Sequence, residues 1–210
     1  DSSGLDCVRP GALDPYYERV ERMLEVEPAR PEVLSGSARA IARGCDALGF
    51  EHAPLSRNAP GCDGQGVCCF GCPTDAKRST NVSYVPAALE QGAMVFTNTR
   101  VVRVLTEGGR AVGVEAHTPG TRKRIIVRAA VVVLACGSIH TPALLLRQKL
   151  ANSSGQVGRN LTIHPASYAW ARFEESIKAW RGIPQGLGVD EFVSEGIRFE
   201  GGYPTFDLAA

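Results

Sequence analysis

The chain has 210 residues, enough for one large domain or two small ones, and its 44% apolar and 21% charged residues are those of a globular protein. A formal net charge of +1 gives no electrostatic case for nucleic acid or an anionic membrane as partner. No apolar run is long enough to cross a bilayer. The chain begins Asp1-Ser2-Ser3-Gly4 with no basic-then-apolar leader, and it stops at Ala210 without a capped terminal element, so both ends read as cut and the compartment stays open.

In chain order, Asp14-Pro15 predicts the start of a first helix, with Asp14 as N-cap and Pro15 in the first turn. Tyr16, Tyr17, Val20, Met23 and Leu24 share its apolar face. Pro28 and Pro31 break the chain. A second helix is expected through Leu34, Ala38, Ile41, Cys45 and Leu48, stopping near Gly49. His52 follows in a short segment and reads as an edge histidine. Residues 57–80 form a long loop rich in Gly, Cys, Pro and Asp, a length that points to function or internal bracing. Residues 84–91 read as a short helix ending at Gly92.

Periodicity then changes to strands. The run from Val101 to Leu105, a turn at Gly108-Gly109 and the return from Ala111 to Ala116 predict a hairpin. A turn at Pro119-Gly120 and a strand over 123–128 complete an antiparallel meander. It feeds a run without polar alternation, Val131-Val132-Val133-Leu134-Ala135, expected to be a strand buried on both faces in a parallel α/β sheet. Cys136-Gly137-Ser138 turns the chain, and Thr141 as N-cap with Pro142 opens a helix over 142–149. A glycine here allows a close approach, and a helix start offers free N–H groups to an anion. The carboxyl edge of such a strand is where open α/β sheets hold cofactors. After a glycine-broken loop at 155–161, residues 165–173 and 191–199 are expected to be strands of a further sheet.

Of seven cysteines, Cys45 and Cys136 sit in apolar settings and read as core. Cys62, Cys68, Cys69 and Cys72 crowd one loop. Zinc, an iron–sulfur cluster, a disulfide such as Cys62–Cys72 and plain loop bracing all remain open for them. No GxGxxG turn follows a strand, and neither GxSxG nor HExxH occurs. His140 and His164 flank the expected cofactor edge but have no neighbouring acid to orient them, and they read as turn-bracing residues.

Four stretches together carry a resemblance to the glucose–methanol–choline (GMC) oxidoreductases. Gly71-Cys72-Pro73-Thr74-Asp75-Ala76-Lys77 with Tyr84-Val85-Pro86-Ala87-Ala88 resembles the loop and short helix over the flavin. Thr97 to Val104 with Gly109 to Val114 resembles the meander. Ala135-Cys136-Gly137-Ser138-Ile139-His140-Thr141-Pro142 is similar to the second signature, and Val157-Gly158-Arg159-Asn160-Leu161 with His164-Pro165 to the loop after it. The cysteine loop looks most like the long-chain alcohol and sterol-type subgroup. One departure is Gln148-Lys149, where the signature usually has Ser-Gly.

The resemblance implies an FAD-dependent enzyme that oxidises a small-molecule alcohol, with a histidine removing the proton and flavin N5 taking the hydride. It implies a Rossmann-like, doubly wound α/β FAD domain with its meander, incomplete, over 1–162, and the start of a substrate-domain sheet over 163–210. It implies that Val101 meets the adenine through its backbone. Ala135, Cys136 and Gly137 would line the adenosine and pyrophosphate end, and Thr141 would set the helix dipole near it. The family's glycine fingerprint and catalytic pair have no match here, so no catalytic residue is assigned and the isolated segment is expected to be inactive. A non-redox flavoprotein lyase of the same fold is the alternative on that side.

Overall fold

The computed structural model describes Arg9 and residues 11–121 and 123–202, a mixed α/β chain with three small antiparallel sheets. Cys7 lies outside the described residues. The chain divides into two compact units, one of residues 1–93 with 171–210 and one of residues 94–170.

In the first unit, α1 (Asp14–Leu24) begins one residue earlier than expected. Leu13 occupies the cap position without a side-chain bond, and Asp14 sits in the first turn, where its carboxylate still meets the positive end of the helix. No residue of α1 is buried, and Tyr16 is 66% exposed, because no described element of the unit covers its apolar face. β1 (Glu27–Pro28) follows. α2 (Gly36–Leu48) is capped as its sequence directs: Ala38 N–H donates to Ser35 Oγ at 3.3 Å, and Gly49 closes the end in the left-handed conformation. Leu34 lies outside the helix and bridges Ile183 instead. Cys45 is buried, as expected.

β2 (His52–Pro54) and β3 (Ser56–Arg57) follow; β1 pairs with β3. α3 (Tyr84–Glu90) matches the expected short helix. The hydrophobic centre is Ala29, Val33 and Ile183, with Leu34 and Cys62 packed against them. Ile183 is fully buried, and its N–H donates to Val33 O at 2.8 Å, tying the late segment to the early one.

The second unit is built on the meander of β4 (Arg100–Glu107), β5 (Arg110–His117) and β6 (Arg124–Arg128), in spatial order β4-β5-β6. It confirms the expected hairpin and third strand. Gly113 is required in β5: at φ +152 a Cβ would lie 2.1 Å from Val127 O on β6. The expected buried strand does not form. Residues 131–135 carry no ladder, and Val131 and Val133 are 76% and 81% exposed. A strand exists only where a neighbour accepts and donates its backbone hydrogen bonds, and no described strand lies beside this run. Cys136 is likewise exposed rather than core.

α4 (Gly137–Gln148) starts earlier than expected, so Pro142 lies inside the helix and Thr141 is not its N-cap. Residues 165–173 form no strand. Of 191–199, a 3₁₀ turn takes Val193–Glu195, and only Phe199 is extended, opening β8 (Phe199–Glu200). The buried strand of that region is β7 (Leu187–Val189), which β2 and β8 flank on either side.

Candidate functional site

The five residues singled out for a cofactor all lie in the second unit. Val101 sits on β4, pairs with Ala116 of β5 and is partly exposed, next to a bulge between Val101 and Arg103. Ala135 and Cys136 are exposed in the segment entering α4. Gly137 has φ +79, and a Cβ added there would meet nothing within 4 Å, so the turn opens onto free space. Thr141 reaches back one turn: Cys136 N–H donates to its Oγ1 at 3.0 Å. That bond satisfies an amide at the helix start and holds the turn in shape, the work of a cap done from inside the helix.

His140 and His164 are exposed, and His140 is on the first turns of α4. His52 stands on the edge strand β2, as expected, with Nε2 3.1 Å from Asp46 Oδ1.

Two residues to which the sequence reading gave no structural role anchor side-chain hydrogen bonds of this unit. Glu115, buried on β5, accepts from Arg103 Nη2 at 2.6 Å and from Arg124 Nε at 3.0 Å, and His117 Nε2 lies 3.2 Å away. Arg103, Arg124 and His117 in that order of effect lower its carboxyl from 4.5 to about 2. The signal was present: a carboxylate within an apolar alternation, with Arg103 directly opposite on β4 and Arg124 two residues from its β6 partner Ile126.

Gln148, the last residue of α4, is the second. Val104 N–H donates to Gln148 Oε1 at 2.8 Å, and Gln148 Nε2 donates to Val104 O at 3.1 Å. β4 is an edge strand and Val104 is its one buried residue. The amide therefore pairs both outward backbone groups as a further strand would. Left unpaired, each buried group costs about 1–3 kcal/mol. Lys149 follows in the left-handed conformation at φ +55, a position that favours glycine.

In the cysteine loop, Cys62, Cys68, Cys69 and Cys72 are all free thiols, so the Cys62–Cys72 disulfide does not form. The backbone N–H of Lys77 donates to Cys72 Sγ at 3.4 Å, and with Thr74 it lowers that thiol's pKa. Among the described residues no three His, Cys, Asp or Glu side chains gather to hold a metal ion, which leaves the zinc or iron–sulfur alternative without a ligand set there.

Comparison with known proteins gives the class. The profile of the GMC oxidoreductase family matches residues 1–166. The chain belongs to the GMC oxidoreductases, and it carries the family's N-terminal domain. An uncharacterized GMC-type oxidoreductase of Mycobacterium tuberculosis is 37% identical over 202 residues, 95% of this chain and 32% of that protein. Long-chain-alcohol oxidase FAO4B of Arabidopsis thaliana is 33% identical over 155 residues, 69% of this chain and 20% of the plant protein. Paromamine 6'-oxidase of Streptomyces fradiae is 32% identical over 199 residues, 80% of this chain and 36% of that enzyme. The chain thus spans about a third of the length of the bacterial relatives it matches, and less of the plant ones. Among the described residues no helix is long and apolar enough to cross a membrane.

Proposed function

We propose that this chain is part of an FAD-dependent oxidoreductase that oxidises the CH–OH group of a small-molecule alcohol of the long-chain or sterol-like kind. The observation that carries the reading is the segment 131–141. There an apolar run stays open, Gly137 turns with free space where a side chain would stand, and a helix begins. Small residues, exposed valines and helix-start amides suit the adenosine and pyrophosphate of FAD: apolar surface for a flat ring, N–H groups for an anion.

On this reading Val101 presents its backbone to the adenine. Ala135, Cys136 and Gly137 line the path of the pyrophosphate, and Thr141 keeps the turn in shape. Bound FAD supplies the hydride acceptor for alcohol oxidation. Residues 1–162 would belong to a Rossmann-like, doubly wound FAD domain, and 163–210 would open the substrate domain. No residue here is assigned to proton transfer. The match to long-chain-alcohol oxidases supports the donor class. The match to paromamine 6'-oxidase favours a second reading, in which the donor is not a long-chain alcohol.

The test is the visible spectrum of the full-length gene product before and after anaerobic addition of a long-chain alcohol. Flavin bands that bleach support the proposal. Bands that bleach only with an amino sugar such as paromamine move it to the second reading, and flavin that no alcohol reduces sinks the redox role and favours a lyase. Absence of flavin bands overturns the cofactor.

A further inference from the structure

We propose that the Gln148 side chain is a positioning residue for the adenosine half of FAD, clamping the end of α4 to the free edge of β4. The inference rests on the FAD reading above and adds a residue to it. One end of β4 carries Val101, and α4 begins at Gly137; these are the two places invoked for adenine and pyrophosphate. What fixes their separation is the junction where the far end of α4 meets β4. There the amide of Gln148 makes two hydrogen bonds, at 2.8 and 3.1 Å, to the N–H and C=O of the single residue Val104.

A planar amide held at both its atoms leaves little freedom of rotation or sliding, which one bond or a purely apolar contact would leave. Val104 is buried, so water does not replace the pair cheaply. Helix and strand therefore move together, as one rigid frame for a ligand that must touch both. Pre-organisation of this kind acts on affinity without touching the ligand. The clamp also accounts for the helix end: with Lys149 rather than glycine in the left-handed position, the turn that aims Gln148 at the strand is held against its local preference.

The experiment uses the full-length protein, stripped of FAD, as wild type, Gln148→Ala and Gln148→Glu. Titrations with FAD and with ADP are run well below the melting temperature, and the visible spectrum of the reloaded protein is recorded. Gln148→Ala is expected to weaken FAD and ADP alike by about tenfold, with flavin bands at wild-type positions. Gln148→Glu, which can accept from Val104 N–H but sets a carboxylate oxygen against its C=O, should weaken both at least as much and serves if the alanine variant does not fold. Wild-type affinity in the variants overturns the clamp alone. A shift of the flavin bands together with weaker binding marks general loosening and also overturns it. A wild-type protein that takes up ADP but no FAD overturns the FAD reading, and the inference with it.

Discussion

Ile183 and Val131 are both β-branched aliphatics, yet the first is fully buried and the second is 76% exposed. Ile183 arrives beside Val33 and Leu34, which take its backbone N–H and pack its side chain. Val131 leaves the meander with no described strand beside it, and its run stays open. The two units therefore spend their apolar residues differently. The first closes a core by joining segments about 150 residues apart in sequence, Val33 and Ile183. The second is ordered by local pairing, a charged cluster and one amide clamp, and it leaves exposed the surface that the cofactor reading needs. Apolarity alone does not bury a residue; a neighbour with matching shape and free backbone groups does.

The contrast can be broken most strongly at Ile183. Ile183→Ala empties the centre of the first unit and should cost about 3 kcal/mol in chemical denaturation. An effect below about 1 kcal/mol would mean that this core does not hold the early and late segments together.

The next effect belongs to Glu115. Its folded carboxyl titrates at about 2 against an ordinary 4.5, so the folded state binds fewer protons than the unfolded one. Its stabilisation is complete above the ordinary value and is lost as pH falls from 4.5 toward 2. Melting curves across that range should show wild type converging on Glu115→Gln from above. Parallel curves would remove the charge cluster from the account of the second unit.

Gln148→Ala should lower stability by about 2 kcal/mol, the loss of two part-buried hydrogen bonds, read by denaturation of the apoprotein. The smallest change is Lys149→Gly, expected to stabilise by about 0.5–1 kcal/mol because φ +55 costs glycine nothing, the gain being offset by glycine's greater unfolded freedom. A destabilising Lys149→Gly would show that the lysine side chain, not the backbone, matters at the helix end.

The parts legible beforehand are those whose signals are local. Gly49 stops α2 in the left-handed conformation where the sequence reading ended the helix, although the expected start at Leu34 was early and the Ser35 cap was not singled out. The alternation around Val104 and Val114, with turns at Gly108-Gly109 and Pro119-Gly120, specified the meander nearly to the residue. Thr141 and Pro142 looked like a helix start because their types suit one, but the backbone was already helical from Gly137, and the threonine hydroxyl was used from inside. Gln148 stood out only as a departure from the family's pattern, and nothing in its neighbours names Val104 as its partner, 44 residues away.

Helix faces, caps, glycine turns and strand alternation follow from residues within a few positions of one another, because their energies lie in local backbone and side-chain geometry. Family membership was legible for the same reason: its signatures are short and ordered. Burial was decided at longer range. Whether Val131 joins a sheet, whether Ile183 is enclosed, whether Glu115 is ionised beside two arginines and a histidine and whether Gln148 meets Val104 depend on which distant groups the fold brings within hydrogen-bond or van der Waals reach.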